Sequence, residues 1–251
     1  MKPSTTNKWI NLILYISGII LIFLIWSIIS ITKNNILYPS IFEIIKDLAQ
    51  MLIDVNNLLI ILYTLIKLVL IIISSYLISV FLGILAYKYR IVYKLLSPIM
   101  AIMRSLPVAS LIIILILLIG LKYSPLFITL FVIMPIGYEN IYTNLKNIDN
   151  DILDEIRLNS NINLKIIFTL LFPMKMDSII SVVLQTIGLG LKILVMSEIL
   201  TQGDNTIGGK IQLAKSYLDI TRVFSWTFLL LIIVMIFELL VNKLRSKIDK
   251  I

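Results

Sequence analysis

The chain has 251 residues, of which 59% are hydrophobic, a mean hydropathy of +1.03 and a formal net charge of +8. That apolarity lies far outside the soluble norm, so the basic excess belongs to loops at a bilayer surface rather than to a nucleic-acid interface. There is no cysteine and no histidine, which removes disulfides, thiolate nucleophiles, imidazole bases and the usual zinc, copper and haem ligands, and with them most metal and triad enzymes.

In chain order, residues 9–31 are apolar apart from Asn11 and a few small residues, and long enough to span a membrane. Lys2 and Lys8 precede this run as in a signal peptide, but no small-x-small cleavage site follows it, so it reads as an uncleaved helix. Residues 39–57 are amphipathic, with Ile41, Ile44, Ile45, Leu48 and Leu52 on one face and Glu43, Lys46, Asp47 and Asp54 elsewhere, a pattern suited to the outer membrane surface. Further spans are expected at 58–87, 106–121, 125–138, 174–200 and 223–241, the third and fourth joined by a tight turn at Lys122-Tyr123-Ser124-Pro125. A basic tail carrying Lys243, Arg245, Lys247 and Lys250 closes the chain. The expected fold is all-α, a polytopic membrane protein with six transmembrane helices, divided into residues 1–57, 58–242 and 243–251.

One stretch between the spans is polar. Residues 149–173 carry Asp149, Asp151, Asp154, Glu155, Arg157 and Lys165, too much charge for hydrocarbon. The pattern predicts two short helices: Asp149, Asn150 or Asp151 caps the first, and the acids suit the positive end of its dipole. Asn159-Ser160-Asn161 breaks the run, since Asn tolerates the left-handed conformation of a sharp turn. Ile162, Ile166 and Leu170 then recur at helical spacing, and Pro173 stands where a new helix can begin.

Cations set the orientation. With the N-terminus inside, fourteen fall on the cytoplasmic side (Lys2, Lys8, Lys88, Arg90, Lys94, Arg104, Lys146, Arg157, Lys165, Lys175 and the tail) and six outside (Lys33, Lys46, Lys122, Lys210, Lys215, Arg222). An even number of spans puts both termini and the 149–173 elbow in the cytoplasm of a multi-pass cell-membrane protein. Lys67 and Lys192 remain within spans. Lys67 reads as a structural residue near the outer interface, and Glu198 as an anchor for the Gly-containing loop that follows it. Ser181, Gln185, Gly188 and Lys192 recur on one face of the fifth span, and a cation at that depth usually turns inward. That face either lines a solute path, with Lys192 attracting an anion, or packs on a neighbouring helix with Lys192 paired or snorkelling. No Walker-type phosphate loop occurs, so energy comes from a partner or an ion gradient. An ion-coupled transporter or channel working alone is the alternative function, but no paired intramembrane carboxylates of the proton-relay kind support it.

The elbow resembles the cytoplasmic "EAA" loop of ABC importer permeases. Asp154-Glu155-Ile156 stands at that family's Glu-Ala-Ala, Ser160 at its glycine, and Leu170-Leu171-Phe172-Pro173 at its closing Ile-x-Leu-Pro; the spacing is kept while identities differ. Met103-Arg104-Ser105-Leu106-Pro107 with Gly120, Met134-Pro135-Ile136, and Ile148-Asp149 are similar to segments of the nitrate/sulfonate/taurine branch, although Glu139-Asn140 departs from its Asn-Thr. Leu37-Tyr38-Pro39-Ser40, Thr64-Leu65-Ile66-Lys67, Ser197-Glu198-Ile199-Leu200, Thr206-Ile207-Gly208-Gly209, Leu218-Asp219-Ile220-Thr221 and Val223-Phe224 extend the likeness over residues 37–242.

The resemblance implies a transmembrane permease subunit that is not itself an enzyme. It would move a small anionic solute, sulfonate-, nitrate- or taurine-like or a thiamin precursor, into the cell by alternating access. The partners it implies are two cytoplasmic ATP-binding subunits that use ATP and Mg, an extracytoplasmic solute-binding protein, and a second copy of this chain, with no cofactor or metal on the chain itself. In that scheme 58–242 is an ABC type-1 transmembrane domain. Asp154, Glu155, Ile156, Arg157, Ser160 and Pro173 form the ATPase-coupling loop, with Asp154 or Glu155 paired to the ATPase.

Overall fold

The computed structural model describes residues 8–33 and 37–248, whose regular elements are all helices. They run α1 (Lys8–Lys33), α2 (Ile41–Ile53), α3 (Val55–Lys88), α4 (Arg90–Ser105), α5 (Val108–Ile119), α6 (Ser124–Lys146), α7 (Asn150–Asn159), α8 (Leu164–Met174), α9 (Met176–Thr201), α10 (Ile207–Ser216) and α11 (Ile220–Ile248). Lys2 and Lys250, which entered the cation count, lie outside the described residues.

Capping residues set several boundaries. Ser40 and Glu43 form a reciprocal capping box that starts α2: the Glu43 N–H donates to Ser40 Oγ and the Ser40 N–H to Glu43 Oε2. Asp54 then ends α2 in extended backbone and accepts the Asn56 N–H to start α3, so the amphipathic segment is a separate helix and does not run on to Asn57.

Among the described residues, α3, α6, α9 and the Ile220–Leu240 part of α11 are long and apolar enough to cross a membrane, and α4 with α5 makes a fifth candidate bent by 106°. The six expected spans are thus partly matched. α1 covers the first and includes the apolar stretch Ile20–Lys33. The third shrinks to the 12 residues of α5, because Pro107 leaves its neighbours short of a helical hydrogen bond and turns the chain. The fourth lengthens to Lys146, because Glu139, Asn140 and Asn144 extend α6 beyond the apolar run. Two helices were not foreseen: α4, expected to be a basic loop, and α10, expected to be an external loop. Most of the basic tail continues α11 as helix to Ile248.

α3 packs most extensively on α6, and α6 on α9. Lipid offers no hydrophobic drive between helices, so close backbone approach and small residues hold them together. A Cβ on Gly137 would lie 2.8 Å from Ser79 Oγ, on Gly83 2.9 Å from Ile141, and on Gly190 2.8 Å from Ile133. Ser79 Oγ donates to the Met134 carbonyl at 2.8 Å, and Tyr76 OH meets Thr186 Oγ1 at 3.2 Å, so polar contacts join α3 to both partners. α1 is fastened at one end, where Trp26 Nε1 donates to Pro39 O, Ser30 Oγ donates to Tyr38 O, and the Trp26 ring stands edge-on to Phe224.

Candidate functional site

The elbow of α7 and α8 is built from the residues its sequence singled out. Asp149 caps α7 by accepting the Asp151 N–H, and α7 ends at Asn159. The break that follows differs from expectation: Ser160 is extended (φ −167°, ψ 156°), and neither asparagine beside it is left-handed. Asn163 instead caps α8 by accepting the Ile166 N–H. Within α8 the segment Ile167–Leu171 forms a π-turn, and the buried pair is Ile167 and Leu171, one residue on from Ile166 and Leu170. Pro173 stands in the first turn of the short helical stretch Phe172–Met174 that closes α8, a position where its missing N–H costs nothing; the helix breaks at Lys175, and α9 begins at Met176.

The underside of the elbow is firmly seated. Leu153, Ile167 and Leu171 are buried with Ile84 of α3, Ile141 and Leu145 of α6, and Ile179 of α9, and Lys88 Nζ donates to the Ile162 carbonyl. A displacement of the elbow is therefore felt by three spans at once. Its opposite side is open. Asp154, Glu155, Arg157 and Ser160 are exposed and Ile156 is half-buried. Asp154 Oδ1 accepts from Arg157 at 2.7 Å, a solvent-exposed pair whose worth of at most about 1 kcal/mol makes it cheap to exchange for an outside partner. The sequence reading missed Leu158, which is 86% exposed at the end of α7. Its signal was an apolar residue in a segment otherwise read for charge.

On α9 the predicted stripe divides. Gln185 and Lys192 are exposed, Ser181 is half-buried, and Gly188 turns toward Val234 of α11. The open strip is Gln185, Leu189, Lys192 and Met196, while Thr186, Gly190, Leu194 and Ser197 face the bundle. Lys192 makes no ion pair or hydrogen bond among the described residues. The other intramembrane lysine, Lys67, is ion-paired with Glu198 of α9.

The elbow is thus seated on three spans, and an open strip runs along the last of them, α9. The sequence profile of the family described as "Binding-protein-dependent transport system inner membrane component" matches residues 75–250, which include the elbow, α9 and α10. The chain belongs to this family. No curated protein matches this permease in sequence. Its fold is similar to two structures described as inward-facing conformations of the MetNI methionine ABC transporter. One, a native crystal form, is 16% identical with a TM-score of 0.61, covering 77% of this chain and 98% of that one. The other, a SeMet-soaked form, is 17% identical with a TM-score of 0.62, covering 73% and 92%. Membership makes the chain the inner-membrane component of an ABC importer, multi-pass in that membrane, with an ATP-binding subunit and a binding protein as partners.

Proposed function

We propose that this permease carries a small anionic solute inward by alternating access, working as one of two identical copies with two ATP-binding subunits. The observation that carries the anionic reading is Lys192, an exposed lysine without an internal partner part-way along an apolar span. A lone cation there is costly against hydrocarbon, and a water-filled path between two copies relieves the cost while concentrating anions. Gln185 and Ser181 extend the same path, and Gly188 gives α11 room to approach it. Sulfonates, nitrate, taurine and thiamin precursors are the solute classes that the branch resemblance supports.

The elbow is the coupling element. Asp154, Glu155, Ile156, Arg157 and Ser160 meet a groove of the ATP-binding subunit, and Pro173 closes the helix that leads back into the membrane. ATP-driven closure of two such subunits biases the spans between two states through the apolar seat beneath α7 and α8. Six spans with both termini and the elbow in the cytoplasm agree with the distribution of lysine and arginine.

Affinity purification of the tagged chain in mild detergent, with bound subunits identified and ATP hydrolysis assayed, tests this reading. A stoichiometric ATPase that is lost on Asp154→Lys, with the permease still folded, is the expected result. A folded permease that never retains an ATPase would overturn it.

A further inference from the structure

Two charges meet within the spans at the end of the bundle opposite the elbow. Lys67 Nζ of α3 lies 2.9 Å from Glu198 Oε1 of α9, with the side chains 14% and 0% exposed. A buried pair of this kind adds little net stability, because desolvation offsets the attraction and two apolar side chains of similar volume often do as well. Such a pair is better explained by what it holds in register.

The second carboxylate oxygen identifies that element. Glu198 Oε2 accepts the Gly208 N–H at 3.4 Å, and beside it Thr64 Oγ1 of α3 accepts the Ile207 N–H at 3.4 Å. Both donors belong to the first turn of α10, whose N–H groups have no acceptor within their own helix. The fit is close: a Cβ on Gly208 would stand 2.4 Å from Glu198 Cβ and 2.6 Å from the Val195 carbonyl. Ile207 is fully buried with Leu68, Leu194 and Trp226, so α10 is drawn into the bundle rather than resting on it. Lys67 also lies 5.6 Å from the centre of the Tyr63 ring. Tyr63 and Lys210 of α10 border the same cavity of about 710 Å³, together with Asp54, Asp204 and Asn205. The ion pair therefore sits where α10, α3 and that cavity meet.

We propose that Lys67, acting through Glu198, is a positioning residue for transport. It clamps the N-terminus of α10 onto α3 and α9, so that the three close this end of the bundle as one block. Glu198 alone would be a buried carboxylate without a counter-ion; turning toward the cavity would release Gly208, and taking up a proton would weaken the bond that it accepts from Gly208. With the clamp gone, α10 opens independently of the spans.

The chain contains no cysteine, so a single introduced thiol reports this opening. Ala214→Cys places it on the inward side of α10 at a position only 6% exposed, and Leu213→Cys, at 48%, serves as the accessible control. Maleimide labelling is followed on the full-length chain in isolated membranes, where its natural partners are present. Lys67→Gln and Glu198→Gln are expected to raise the Ala214→Cys rate at least about tenfold, while Leu213→Cys labels alike in every background. Lys67→Arg keeps the charge and is expected to stay within about twofold of the parent. The double substitution Lys67→Met with Glu198→Leu should keep the parental unfolding temperature yet label quickly, which a merely stabilising role would not produce. Parental labelling in both Lys67→Gln and the double variant overturns the proposal, as does fast labelling in Lys67→Arg. Should Lys67→Gln fail to fold, the double variant alone decides.

Discussion

Gly209 approaches Gly203 so closely that a Cβ on it would lie 1.8 Å from the Gly203 carbonyl oxygen. Thr206 closes the same turn, its Oγ1 accepting the Gly209 N–H at 3.0 Å and donating to Gly203 O at 2.9 Å. The obstructing atom is backbone and cannot swing aside as a side chain can. Gly209→Ala is expected to cost more than about 2 kcal/mol, whereas Gly18→Ala, with nothing within 4 Å, should stay within about 0.5 kcal/mol. Thermal unfolding of the two variants in one detergent compares them.

Leu218 follows α10 in the left-handed conformation, at φ +57°. The Asp219 N–H reaches back to Ala214 O and the Leu218 N–H to Lys215 O, the pair of bonds that ends a helix with glycine as the usual left-handed residue. Leucine is strained there, and at 70% exposure it recovers little by packing. Leu218→Gly should therefore raise stability, by roughly 0.5–1 kcal/mol once the extra backbone freedom of glycine in the unfolded chain is subtracted. A lowered melting temperature would show that Leu218 makes a contact outside this chain.

At the elbow, apolar contact and charge can be separated. Leu158→Ser removes an apolar side chain that the chain itself leaves open, whereas Asp154→Ala removes half of an exposed ion pair. Both should leave the unfolding free energy within about 0.5 kcal/mol of the parent. Leu158→Ser is expected to weaken retention of the ATP-binding subunit at least about tenfold, because covering that side chain removes its apolar surface from water. Asp154→Ala should act mainly at low salt, where exposed charge is least screened. Pull-downs across an ionic-strength series tell the two apart.

Lys192→Gln keeps a polar side chain, one bond shorter, but removes its charge. Uptake of anionic solutes by membrane vesicles should fall at least about tenfold while ATP hydrolysis by the assembly persists. Unchanged uptake would assign Lys192 to packing between copies.

Much of the apolar architecture could be read from the sequence, because long runs of Ile and Leu mark spans whatever their packing. The elbow could also be read, since its charge excludes it from lipid and Asp149 sits where a cap must be. α4 escaped notice because Arg90, Lys94 and Arg104 were counted as loop cations, although Met100 and Met103 bury the other side of the same helix. α10 escaped because adjacent glycines suggest a breaker; here they permit close approach to α9 and Gly203. In α8 the cap at Asn163 leaves Ile162 outside the helix, and burial falls on Ile167 and Leu171 instead of Ile166 and Leu170. Lys67 and Glu198 stand 131 positions apart, so only the packing of α3 on α9 could bring them together.

The open strip on α9 has a consequence for the life of the protein before assembly. Were two copies to pair along this strip, as proposed, a newly inserted copy would hold Lys192 against acyl chains until its partner covered it. Solvation of that one side chain would then mark an orphan subunit.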